Sequence, residues 1–157
     1  MTQDKLDIAL IGCGKMGSAM LRGWLSAKIE NRITVLDPAP LPEEFEAYIP
    51  NPVTQYMDSA VFLESPPDVD LYVIAVKPQI MDEVCAAIAP AIPANALILS
   101  IAAGQTISSF ETRLGADKSV IRAMPNTPAS IGKGISVAVA NAHVTPEQKS
   151  IADTILK

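Results

Sequence analysis

The 157-residue sequence predicts an α/β fold, a doubly wound and mainly parallel sheet with helices on both faces. Three observations carry that expectation. Short, nearly continuous apolar runs recur along the chain, as in strands buried on both faces. Segments with apolar residues at helical spacing alternate with them, the order of a sheet built by crossover helices. The composition, 49% apolar and 18% charged, is that of a packed globular domain of ordinary size.

Taken in order, residues 6–11 form a buried strand that runs into glycines. Residues 16–27 follow as a helix, with Met16, Met20 and Trp24 on one stripe beside Leu21 and Leu25. Residues 32–36 are a second strand, ended by Asp37 and Pro38. The stretch 38–52 holds Pro38, Pro40, Pro42, Pro50 and Pro52, which break regular structure and leave room for one helical turn near 43–47. A brief strand at 53–54 and a short helix at 58–63 come next. Residues 70–76 are a clear buried strand, and residues 79–88 a helix with Ile80, Val84 and Ile88 on one face. A strand at 96–101, a short helix at 108–114, and strands at 119–124 and 134–140 complete the pattern. Thr145-Pro146-Glu147-Gln148 then reads as a helix start, with Thr as cap, Pro at the first helical position and Gln completing a capping box. Ile151 and Ile155 extend an apolar stripe to Lys157, with no glycine or proline stop. Two readings stand: a short final helix, or the start of a helix that continues beyond the chain.

The net charge of −5 argues against nucleic acid and anionic membranes as partners, but not against an anionic ligand held by backbone N–H groups. No apolar run approaches the ~20 residues of a membrane helix, and the first residues lack the basic region of a signal peptide. Cys13 lies in a glycine loop and Cys85 in a helical pattern, so no disulfide is expected and a reducing, cytoplasmic home is. His143 has no partners at metal-ligand spacing, and no metal site is expected.

The strongest local signal is Gly12-Cys13-Gly14-Lys15-Met16-Gly17 between a strand and a helix. In a dinucleotide site the first glycine permits the turn, the second lets backbone approach a pyrophosphate, and the third lets helix and strand pack. Asp37 stands 20 residues beyond Gly17, where a carboxylate would accept the adenosine ribose hydroxyls. A glycine-rich turn without a ligand is the plainer alternative. Lys77, in Ala75-Val76-Lys77-Pro78, falls at the carboxyl end of a strand, where such sheets bind ligands; a solvated lysine before a helix explains it as well. Ser100-Ile101-Ala102-Ala103-Gly104 ends the next strand in small residues, either to let a flat nicotinamide ring lie on backbone or for close packing only. In Arg122-Ala123-Met124-Pro125-Asn126-Thr127-Pro128, Asn126 either faces the nicotinamide end or forms a structural turn. There is no Ser-His-Asp set, Walker loop or evident carboxylate pair, so no catalytic residue is assigned and a cofactor would carry the hard chemistry.

These motifs, in this order and spacing, resemble the amino-terminal, Rossmann-type domain of pyrroline-5-carboxylate reductases. The Arg122–Pro128 stretch after Ser100–Gly104 is the specific part of the resemblance; the glycine motif alone is not. The resemblance implies NAD(P)H-dependent reduction of the cyclic imine 1-pyrroline-5-carboxylate to L-proline, the last step of proline biosynthesis. It implies cofactor contacts from Gly12, Cys13, Gly14, Lys15, Met16 and Gly17 around the pyrophosphate. Ala75, Val76, Lys77 and Pro78 would line the cleft, and Ala102, Ala103 and Gly104 would lie by the nicotinamide. Asn126 and Thr127 are candidates on the substrate side. It also implies a helical carboxyl-terminal domain that forms dimers, on which a homo-oligomer is built, and that supplies most of the substrate site. Residues 1–144 are then the NAD(P)-binding domain and 145–157 the start of a helix leading to that second domain. Many members of that family carry Ser or Thr where this chain has Asp37; a carboxylate there would repel a 2′-phosphate, which leans the expectation towards NADH or dual use. Two other readings remain: a dehydrogenase of the hydroxyacid or 6-phosphogluconate type, and a non-catalytic dinucleotide-binding module.

Overall fold

The computed structural model describes residues 6–28, 30–49, 52–102, 105–125 and 136–156. Alternation along each strand sorts side chains onto two faces of one sheet. In β1 (Leu6–Ile11), Ile8 and Leu10 enter one apolar layer while Ala9 and Ile11 enter the other. In β4 (Leu71–Ile74), Leu71 and Val73 side with the first layer, and Tyr72 and Ile74 with the second. β5 (Leu97–Ser100) divides in the same way, Leu97 and Leu99 against Ile98. Both faces of these strands are apolar, so helices must cover both.

The first layer is closed by α1 (Lys15–Ala27) and α5 (Pro146–Leu156). Leu21, Trp24 and Leu25 of α1 meet Ala152 and Ile155 of α5, with Phe45 from the 3₁₀ segment Glu43–Tyr48. The Trp24 indole N–H donates to the Ile155 carbonyl at 3.1 Å. The second layer is closed by Phe62 of α2 (Ser59–Glu64), by Met81, Cys85 and Ile88 of α3 (Met81–Ile88), and by Phe110 and Leu114 of α4 (Ile107–Leu114). Fully buried Phe62, Tyr72 and Phe110 each contribute roughly 2–3 kcal/mol of apolar burial, and Phe62 meets Tyr56 edge-on at 5.7 Å.

With β2 (Glu30–Leu36), β3 (Val53–Tyr56), β6 (Ser119–Pro125) and β7 (Ser136–Ala140), the seven strands lie in the order β3-β2-β1-β4-β5-β6-β7. The first six pair in parallel, and β7 is antiparallel to β6, with Arg122 opposite Val139. The order reverses between β1 and β4. At such a switch point the loops leaving the two strands diverge to opposite faces and open a crevice at the strands' carboxyl ends.

The predicted elements form, with instructive shifts at their ends. The strand expected over 70–76 ends at Ile74: Ala75 N–H still donates to Ile11 at 2.8 Å, but Pro78 has no N–H and forces the chain out of the sheet. The helix expected from 79 begins as a 3₁₀ turn, Pro78–Ile80, before α3. Its tighter winding puts Ile80 out of phase with the helix proper. The buried stripe is therefore Met81, Cys85 and Ile88, while Ile80 is 45% exposed. At the other end the capping box of α5 closes as spelled: Gln148 N–H donates to Thr145 Oγ1 at 3.1 Å, and Thr145 N–H to Gln148 Oε1 at 3.0 Å.

Candidate dinucleotide site

Each glycine of the loop after β1 meets a different demand. Gly12 turns the chain at φ +91°, a conformation L-residues rarely adopt, and a Cβ there would stand 2.7 Å from Val76 Cγ1. Gly17 sits under the turn, where a Cβ would be 2.5 Å from the Gly12 carbonyl oxygen. A Cβ on Gly14 would meet nothing within 4 Å. Two of these glycines are thus required by packing, whereas Gly14 leaves bare backbone facing open space.

Gly14 is also the N-cap of α1, without a capping side-chain hydrogen bond and without an acid in the first turn. By contrast, Asp58 caps α2 and Thr106 caps α4 through side-chain oxygens. The amino end of α1 keeps its N–H groups and positive dipole end for an external anion.

Asp37, directly after β2, is part-buried beside the loop. Its Oδ2 accepts the Cys13 N–H at 2.6 Å and its Oδ1 the Ala39 N–H at 2.8 Å. The carboxylate that the sequence assigns to a ribose therefore also ties the glycine loop to the turn after β2. The Cys13 side chain points inward. Its thiol lies 3.5 Å from Ser18 Oγ, and Ser18 Oγ donates to the Cys13 carbonyl at 3.1 Å. Burial pushes this thiol's pKa above its ordinary value against the lowering effect of the Ser18 hydrogen bond, with Asp37 adding to the rise. It stays protonated at neutral pH and is a packing group rather than a nucleophile.

These elements enclose a cleft of about 670 Å³ at the switch point. Of the residues singled out from sequence, Gly12, Gly14, Asp37, Ala75, Val76 and Lys77 line it. Met16 instead packs partly against the first apolar layer, Cys13 and Gly17 support the loop from within, and Pro78 starts the 3₁₀ turn. Ala102 is buried in the second layer, its N–H donating to Ser100 Oγ at 3.2 Å. Lys15 is exposed at the start of α1. Ala103, Gly104, Asn126 and Thr127 lie outside the described residues.

The sequence reading missed the cleft's outer wall, made by Met57, Asp58, Ile80, Glu83 and Val84. Met57 and Ile80 expose apolar surface there, at 52% and 45%, which suits the face of a flat heterocycle. Among the described residues, the charged groups lining the cleft are Asp37, Asp58, Glu83 and Lys77, a lining that disfavours additional negative charge. Among the described residues there is no cluster that would hold a metal ion and no helix long and apolar enough to cross a membrane.

Comparisons with known proteins agree with this geometry. Residues 7–104 match the family described as NADP oxidoreductase, coenzyme F420-dependent. The pyrroline-5-carboxylate reductase of Pseudomonas aeruginosa is 37% identical over 155 residues, covering 95% of this chain and 54% of that protein. A pyrroline-5-carboxylate reductase structure from Coxiella burnetii superposes with a TM-score of 0.83 at 28% identity, over 98% of this chain and 56% of that one. A Plasmodium falciparum pyrroline carboxylate reductase structure with NADP bound gives 0.80 at 25% identity, over 99% and 55%. The chain spans about half the length of the curated relatives it matches. It belongs to the NADP oxidoreductase, coenzyme F420-dependent, family, and nearly its whole length is similar to the amino-terminal half of pyrroline-5-carboxylate reductases.

Proposed function

We propose that this chain is the dinucleotide-binding half of an enzyme that reduces 1-pyrroline-5-carboxylate to L-proline with NAD(P)H. The observation that carries the reading is the bare Gly14 backbone at the uncapped start of α1, opening on a cleft at the switch point of the sheet. That is the arrangement a pyrophosphate requires. The loop from Gly12 to Gly17, with Lys15 at its rim, holds the phosphates. Asp37 receives the adenosine ribose, and the adenine lies between Met57 and the Ile80–Val84 wall. Ala75, Val76 and Lys77 continue the cleft beyond the phosphates; by the family resemblance, Pro78, Ala102, Ala103 and Gly104 are assigned to the cofactor and Asn126 and Thr127 to the substrate.

When bound, the dinucleotide supplies a hydride for the imine carbon. The chain's own part is to bind and orient it: backbone N–H groups donate hydrogen bonds to the pyrophosphate, and the β-strand ends fix the depth of the cleft. Among the described residues of the lining, three carboxylates against one ammonium favour a ribose without a 2′-phosphate, hence NADH over NADPH. The substrate is a small imino acid. The remaining substrate contacts and the dimer on which a homo-oligomer is built belong to a helical domain that follows α5, and the enzyme works in the cytoplasm.

A chimera tests this reading. This chain replaces the amino-terminal half of the Pseudomonas aeruginosa reductase, and loss of reduced nicotinamide is followed with 1-pyrroline-5-carboxylate. Turnover with NADH exceeding that with NADPH supports the proposal. A folded chimera that binds NADH yet oxidises a hydroxyacid instead refutes the substrate, and one that binds no dinucleotide refutes the whole reading.

A further inference from the structure

The turn after β2 that presents Asp37 contains Pro38 and Pro40, neither of which has an N–H to offer a neighbouring strand. Backbone pairing to β3 reaches only Asp37, whose N–H donates to the Tyr56 carbonyl at 3.0 Å; past it, a side chain supplies the further ties. Gln55, on β3, supplies the ties. Its Nε2 donates to the Asp37 carbonyl at 3.1 Å and to the Ala39 carbonyl at 2.7 Å, and its Oε1 accepts the Leu41 N–H at 3.3 Å. The side-chain amide has one orientation that satisfies all three, because its neighbours are two carbonyls and one N–H. Within this clamp the Asp37 carboxylate takes the N–H groups of Ala39 and Cys13. A continuous chain of hydrogen bonds thus runs from β3 through the turn to the glycine loop.

We propose that Gln55 is a positioning residue for nucleotide specificity. By clamping the turn 37–41 it holds the Asp37 carboxylate at the ribose end of the cleft, and so sets the discrimination between dinucleotides with and without a 2′-phosphate. Gln55 is not among the residues lining the cleft and acts through Asp37. The inference rests on the dinucleotide site proposed above.

The test is a fluorescence titration of the chain and of Gln55→Met and Gln55→Ala with NADH and with NADPH, beside thermal melts and amide NMR of Cys13 and Ala39. Gln55→Met keeps the length and apolar stem and carries the test if Gln55→Ala does not fold. The expected result is a loss of about three- to tenfold in NADH affinity, the worth of about one hydrogen bond, with NADPH changed less than about twofold. The ratio of affinities narrows, and the Ala39 and Cys13 amide resonances shift. Folded variants that keep the parent ratio, or that weaken both dinucleotides equally, overturn the proposal while the site itself stands. An unaltered chain that binds neither dinucleotide overturns both.

Discussion

Substituting Ala at each glycine of the loop in turn separates what the fold needs from what a ligand needs. At Gly17 the added carbon lies 2.5 Å from the Gly12 carbonyl oxygen, against an ordinary C···O contact of about 3.3 Å. Backbone sits on both sides, so the helix must move away from the strand by nearly an ångström. Overpacking of this kind costs about 1–3 kcal/mol, which in a domain of this size lowers Tm by about 3–10 °C. Gly12→Ala adds a left-handed φ of +91° to its 2.7 Å clash with Val76 and is at least as damaging. Gly14→Ala has nothing within 4 Å and a φ of −77°, so its melting point stays within about 2 °C of the parent. Its methyl would, however, keep a phosphate oxygen about 3.5 Å or more from the carbon, beyond the approach that a 2.9 Å N–H···O bond to this loop requires. Loss of one charge-assisted hydrogen bond, about 1.5–3 kcal/mol, weakens NADH binding about ten- to a hundredfold. Melting curves and NADH titrations of the three variants form the assay. A Gly14→Ala protein that binds NADH like the parent, or a Gly17→Ala protein that melts like the parent, refutes the reasoning.

Further outcomes follow from the same structure. Asp37→Ser removes the carboxylate from the proposed ribose end and shifts the NADPH-to-NADH affinity ratio upward about tenfold; it also takes the acceptor from the Cys13 N–H, while a hydroxyl can still accept from Ala39, and lowers stability by about 1–2 kcal/mol, read from paired titrations and urea unfolding. Burial, with a lesser contribution from Asp68, pushes the Tyr72 phenol up to about 12. The folded state holds this proton more tightly than the unfolded chain, so the contribution is complete below about pH 10 and is lost towards pH 12, by roughly 2–3 kcal/mol. Urea midpoints measured across that range should fall for the parent and fall less for Tyr72→Phe. Trp24→Phe deletes the donor to the buried Ile155 carbonyl and loosens α5 from α1; a loss of about 1–3 kcal/mol and faster amide exchange in α5 are expected, and unchanged exchange would show that the bond does not hold the helix.

The parts of this fold legible in the sequence were those fixed by local pattern. Strands buried on both faces read as apolar runs because both neighbours are apolar, and the glycine loop read as a phosphate turn because its spacing is imposed by geometry within a few residues. The capping box at Thr145 was legible for the same reason. The outer wall of the cleft was not. Ile80 carried a helical spacing that Pro78 had already shifted by starting a 3₁₀ turn, and Met57 follows a proline-rich stretch without periodicity. The second engagement of Asp37 was equally hidden, since its contacts with Cys13 and Gln55 join residues separated by 24 and 18 positions through β2 and β3. Local motifs identify the chemistry a site can hold; contacts between parallel strands decide how each motif is aimed.

The most direct test of the central claim is a titration of the unaltered 157-residue chain with NADH and NADPH, followed by the change in nicotinamide fluorescence. Saturable binding of both is expected, tighter for NADH. Saturation by NADPH at lower concentration than NADH would contradict the role given to Asp37, and no saturation by either would contradict the assignment of the cleft.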